Sequence, residues 1–169
     1  MRRACALHVL FAATGAFAGS PIAETDTSRW LPDFACRGGR FGLRLPVTYE
    51  RATQLGPLVE ERIELIEEEP GHRIVRKDLY FPGLVLGVVV PSDDPNRYMV
   101  SGAHITDRRW KSLAPFAVGQ TLQSARKLLG RPAASDRDLK ATYGTESSSI
   151  TFETSGGILR GIVYTCYTG

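Results

Sequence analysis

Outside its first eighteen residues the sequence holds two histidines, His72 and His104, two cysteines, Cys36 and Cys166, and a few clustered carboxylates. His104 opens His104-Ile105-Thr106-Asp107, where an imidazole and a carboxylate could begin a zinc site. Zinc takes three or four protein ligands, so the pair falls short and His104 reads as a strand residue. Asp93, Asp94 and Asn96 in "PSDDPNRY" could offer oxygens to a hard cation such as calcium. The same composition is that of a polar turn. Glu67-Glu68-Glu69 could supply paired acids, but neighbouring side chains diverge and form a solvated face. Ser147-Ser148-Ser149 lies in no Gly-x-Ser-x-Gly elbow. These residues imply no metal, no cofactor and no catalytic constellation.

"VGQTLQSARKLLGRP", Val118 to Pro132, has a glycine near each end and basic residues between, a composition shared with phosphate cradles. A phosphate loop needs its glycines before the helix, with a lysine and hydroxyl at the helix start. Here Thr121 is an N-cap, Leu122, Ala125, Leu128 and Leu129 share one helical face, and Gly130 with Pro132 stops the helix. The glycines are punctuation.

The elements that position these groups begin after a leader. Arg2 and Arg3 precede an apolar run from Ala4 to Ala13 and the small-residue pattern Ala16-Phe17-Ala18. That order predicts a secretory signal peptide over residues 1–18, too short and too interrupted to span a bilayer, with no membrane span in the mature chain. Cleavage after Ala18 removes Arg2 and Arg3 and leaves the whole chain's 21 basic residues nearly balanced by its 18 acidic ones. With no basic stripe, nucleic acid is not an expected partner. Cleavage also removes Cys5, so Cys36 and Cys166 remain as an even pair in an oxidising compartment, which predicts a disulfide.

Residues 19–33 read as a flexible lead-in and 34–169 as a single globular domain. Alternation predicts strands in "HRIVRKDLYF", "LVLGVVV" and "RYMVSGAHIT", with Pro82-Gly83 turning the first two into a hairpin. "VEERIELIEEE" suits helix or strand, and its ending at Glu69-Pro70-Gly71 favours a hairpin with the strand after it. "LKATYG" precedes a closing hairpin, in which "SSSITFETS" turns at Gly156-Gly157 into "ILRGIVYTCY". "VTYERATQLGP", Val47 to Pro57, is a weaker copy of the Thr121 helix, which suggests two tandem helix-plus-strands units, half-units 34–110 and 111–169. The expected fold class is α+β, an antiparallel sheet with short helices on one face.

One sheet face then stays open. If Val75, Leu79, Phe81, Met99, Ala103 and Ile105 point inward, Arg76, Asp78, Tyr80, Tyr98, His104 and Thr106 share the open face. The last hairpin adds Thr151, Val163, Thr165 and Tyr167. Tyrosine and arginine are enriched at protein interfaces, which makes Arg76, Tyr80, Tyr98, His104 and Tyr167 the candidate binding set. The same pattern also describes cross-strand packing on a solvated sheet.

"GQTLQSARKLLGRP", followed by "LKATYG", "ITFETSGG" and "ILRGIVY", resembles the helix and strands of small bacterial envelope domains of the SmpA/OmlA type and of beta-lactamase inhibitory proteins, mainly over residues 115–167. The mature start lacks the lipidation cysteine of the former, and a Cys36–Cys166 bond would join the first unit to the last. The resemblance implies an exported, non-catalytic protein-binding protein, periplasmic or secreted, with a protein partner in the cell envelope. The alternative is an envelope hydrolase whose site matches no known motif.

Overall fold

The structure is a computed structural model that describes residues 35–167 apart from 71, 131, 133, 137–138 and 145–147. The expected signal segment and lead-in lie outside the described residues. Eight strands form one antiparallel sheet in the order β1-β2-β3-β4-β8-β7-β6-β5. They are β1 (Glu60–Glu69), β2 (His72–Phe81), β3 (Leu84–Pro91), β4 (Met99–Ile105), β5 (Ala134–Asp136), β6 (Lys140–Gly144), β7 (Ser149–Ser155) and β8 (Ile158–Thr165). The ambiguous acidic segment is a strand, β1, paired with β2 from Glu60↔Tyr80 to Glu69↔His72. The short β5 carries no alternation and was not legible in the sequence.

Two α-helices, α1 (Tyr49–Thr53) and α2 (Leu122–Leu129), and a 3-10 turn (Arg108–Trp110) complete the fold, which is dominated by its sheet. Thr48 and Thr121 are the N-caps, their hydroxyls accepting from the Arg51 and Ser124 amides. Helix α1 precedes β1 to β4, and α2 precedes β5 to β8. Ala52 of α1, Trp110, and Leu122, Ala125 and Leu129 of α2 all join one hydrophobic core, so the three helical segments lie on one face of the sheet. Leu128, expected on the buried face of α2, is exposed instead. At 3.6 residues per turn it lies too far round the short helix to reach the sheet.

Leu79, Leu86, Ala103, Tyr164, Ile150 and Tyr143 stand opposite one another across six strands and are all buried beneath the helices. Each large apolar side chain fully buried in such a row contributes roughly 1.5–3 kcal/mol. Phe116 fits edge-on against Phe152 at 5.0 Å, and Trp110 against Phe81 at 5.7 Å.

Strand β4 contains an irregularity that the alternation does not reveal. Gly87 pairs with Gly102 and Val88 with Val100, so Ser101 is an extra residue on β4. Such a bulge reverses the facing of everything beyond it. Tyr98, expected on the open face, is therefore buried on the helix side at 3% exposure, its hydroxyl donating to the Pro46 carbonyl at 2.6 Å. Met99, expected inward, turns out to the other face.

Cys36 and Cys166 are joined by a disulfide that ties the first described residues to the end of β8. Backbone bonds lead from there into the core: the Leu43 amide donates to the Cys36 carbonyl and the Arg44 amide to the Leu113 carbonyl, both at 2.7 Å. No helix among the described residues is long and apolar enough to cross a membrane.

Candidate functional site: the uncovered sheet face

The face opposite the helices is built by register. One row crosses six strands as Tyr80, Val85, His104, Val163, Thr151 and Thr142. The next row runs Asp78, Gly87, Gly102, Thr165, Ser149 and Gly144, and beyond it Arg76, Val89 and Met99 stand abreast. Val89 is buried at 3% even here, flanked by Arg76 and Met99.

Polar contacts knit the face together. His104 Nε2 lies 3.2 Å from Glu153 Oε2, a contact that reaches from β4 to β7 over the intervening β8. The crossing is possible because β8 has Gly161 there: a Cβ at that position would lie 2.3 Å from Glu153 Oε2 and 3.1 Å from His104 Nε2. Arg76 Nε is 3.5 Å from Asp78 Oδ1. The Arg62 guanidinium lies 4.6 Å from the centre of the Tyr80 ring while pairing with Glu60 at 2.7 Å, and the hydroxyls of Thr142 and Thr151 meet at 3.0 Å.

Glycine also shapes the middle of the face. A Cβ at Gly87 would lie 2.7 Å from Ser101 Oγ and 3.1 Å from Asp78 Oδ1, so these two polar groups converge over bare backbone. Ser101 Oγ is buried without a hydrogen-bond partner among the described residues. Gly87 and Gly102 leave the sheet low between the row of Tyr80 and His104 and the row of Arg76 and Met99, and Gly161 lies beyond His104 on the far side.

Of the candidate binding set, Arg76, Tyr80 and His104 are on this face, and Tyr167 is exposed just after Cys166. Tyr98 is not part of it. The Arg37 guanidinium sits 4.9 Å from its ring centre, and burial pushes its hydroxyl above the usual phenol range, opposed by that arginine. Sequence reasoning missed Glu153 and the three glycines as members of the face. The signal was present in "LRGIVY" and "VLGVV", since a glycine inside a strand marks a close approach of other groups.

A histidine oriented by a carboxylate supplies two parts of a hydrolytic triad, but the nucleophile is not part of the His104–Glu153 contact. Among the described residues, no three His, Cys, Asp or Glu side chains gather as a metal site. What the arrangement can do is present a broad, polar and partly apolar surface to a large partner. No protein-family model, curated protein or solved structure matches the chain.

Proposed function

We propose that this chain is an exported, non-catalytic protein-binding protein that engages a partner of the cell envelope with its uncovered sheet face. The observation that carries the reading is the asymmetry of the sheet: all three helical segments lie on one face, and the other presents Tyr80, Arg76, His104, Val163 and Met99 around a centre of glycines. Tyrosine and arginine beside apolar side chains are the composition of an interface core. The disulfide agrees with a periplasmic or secreted location, because such bonds persist in oxidising compartments. The same reading takes the chain as two tandem units, since a helix followed by four strands occurs twice and β4 of one meets β8 of the other.

Site-specific photo-crosslinking tests it. A benzophenone side chain placed at Tyr80 or Val163 is expected to capture one envelope protein, and the same group at Leu128, exposed on α2, is not. Alanine at Tyr80 should then weaken binding to the purified partner by about 1–2 kcal/mol or more. Equal capture from both faces, or capture from Leu128 alone, overturns the assignment.

A further inference from the structure

The sheet has two very different edges: β5 has three residues, whereas β1 has ten. The Val59 amide donates to the Tyr80 carbonyl at 2.8 Å while the Ser92 amide donates to the Arg73 carbonyl, so Tyr80, Asp78 and Arg76 turn their backbone groups toward β1 and meet those of Glu60, Arg62 and Glu64. Those of Glu61, Ile63 and Leu65 then point away from the sheet. A row of outward N–H and C=O groups is a template for another strand.

The side chains of β1 do not cover this edge, and they differ between its two sides. On the helix side Ile63 and Leu65 are 62% and 45% exposed, and Ile63 borders a groove of about 290 Å³ formed with Val75, Val90 and Pro95. On the other side stand Glu60, Arg62 and Glu64. The strand as a whole carries six glutamates and one arginine.

Its existing neighbour shows which strand chemistry this suits. β2 places Arg73 opposite Glu68 and Arg76 opposite Glu64, and Lys77 Nζ lies 2.8 Å from Glu61 Oε1. Opposite charges across a strand pair are favourable and like charges unfavourable. A second copy of β1 would bring another six glutamates against the first, which makes it the poorer occupant.

We propose that β1 is a docking edge for an extended segment of a partner protein in which apolar side chains alternate with lysine or arginine, added as a ninth strand. Its apolar side chains continue the row of Ile63 and Leu65 toward the groove, and its cations lie beside Glu60 and Glu64. This edge borders the uncovered face where Arg62 meets Tyr80, and the test uses no residue of the central glycine region.

The probe is a capped octapeptide of alternating valine and lysine, titrated into the isotope-labelled full chain while amide hydrogen exchange is followed by NMR. The amides of Glu61, Ile63 and Leu65 are expected to exchange at least about ten-fold more slowly with the peptide, and that of Arg62, already bonded to β2, to change little. Glutamate in place of the peptide's lysines should abolish the protection. Ile63→Pro removes one outward N–H and leaves the ladder to β2 intact, so it should abolish protection at Glu61 and Leu65 with the melting curve preserved. Glu60→Gln with Glu64→Gln, which leaves the backbone unchanged, should weaken binding about ten-fold or less and leave the fold alone. Equal protection by the glutamate peptide, protection confined to other strands, or binding unaffected by Ile63→Pro overturns the proposal. Peptide-free dimerisation through the same three amides, seen by sedimentation, also overturns it and assigns the edge to a second copy.

Discussion

His104 and Glu153 meet at 3.2 Å across an intervening strand, over the one residue of β8 that has no side chain to separate them. Gly161→Ala should break this contact, because the added Cβ would lie 2.3 Å from Glu153 Oε2. The displaced atom is the end of a flexible side chain, and the glycine's extra freedom in the unfolded chain is lost, so stability should stay within about 1 kcal/mol of the parent. Urea denaturation measures the stability, and the His104 side-chain resonances report the contact. A loss of several kcal/mol would show that Gly161 serves backbone packing rather than this contact.

Tyr98 and Tyr80 should behave in opposite ways. Tyr98→Ala empties a packed site and removes the bond to Pro46, and is expected to cost about 3–5 kcal/mol. Tyr80→Ala, on the uncovered face beside Arg62, should cost about 1 kcal/mol or less. Equal losses in chemical denaturation would contradict the bulge at Ser101.

Two glycines of positive φ separate backbone strain from steric conflict. At Gly83, φ +75, a Cβ would lie 2.2 Å from Asp107 Cβ and 3.2 Å from its amide nitrogen, so Gly83→Ala should cost about 3 kcal/mol or more. At Gly130, φ +82 and ψ −146, a Cβ meets nothing within 4 Å, so Gly130→Ala should cost about 1–3 kcal/mol from backbone strain alone. Thermal melts of both variants check the order.

Unfolded, unreduced protein should show no free thiol from Cys36 or Cys166. The bond closes a span with a sequence separation of 130. Serine at both positions should lower stability by up to about 5 kcal/mol by the loss of chain-entropy restraint on the unfolded state.

Asp107 should titrate below the ordinary aspartate range. The Arg109 amide that donates to its carboxylate is the main cause, opposed by desolvation and aided by the Arg109 guanidinium. A depressed folded value means that its contribution to stability is present above the unfolded value and is lost as pH falls through the folded one. Carboxyl-carbon NMR should place the midpoint low in the parent, and Arg109→Ala should raise it only in part, since the backbone donor remains.

Much of the fold was legible in local pattern. Thr121 before Leu122 and Gly130 after Leu129 bracket α2, Gly156-Gly157 turn β7 into β8, and Glu69-Pro70-Gly71 ends β1 where it meets β2. Each signal acts within a few residues, through a capping hydroxyl, a positive φ or an alternation of apolar side chains. The even pair of cysteines pointed to one bond for a similarly simple reason.

The candidate face was legible only in part. Arg76, Tyr80 and His104 share it because the alternation of β2 and of the end of β4 runs unbroken through them. Tyr98 does not, because Ser101 lies between it and His104, and no property of "RYMVSGAHIT" marks which residue is the extra one. That is decided by hydrogen bonds to β3, where Gly87 takes Gly102 and Val88 takes Val100.

By itself the sequence determined the course of most strands, of both helices and of their turns, β5 excepted, since those choices rest on torsional preference and side-chain spacing along the chain. Only the tertiary structure decided that His104 meets Glu153, that Tyr98 turns inward and that the acidic β1 stands at an open edge. Strand order, register and bulges are fixed by pairing with residues distant in the chain, and one inserted residue reverses a face without changing the local pattern.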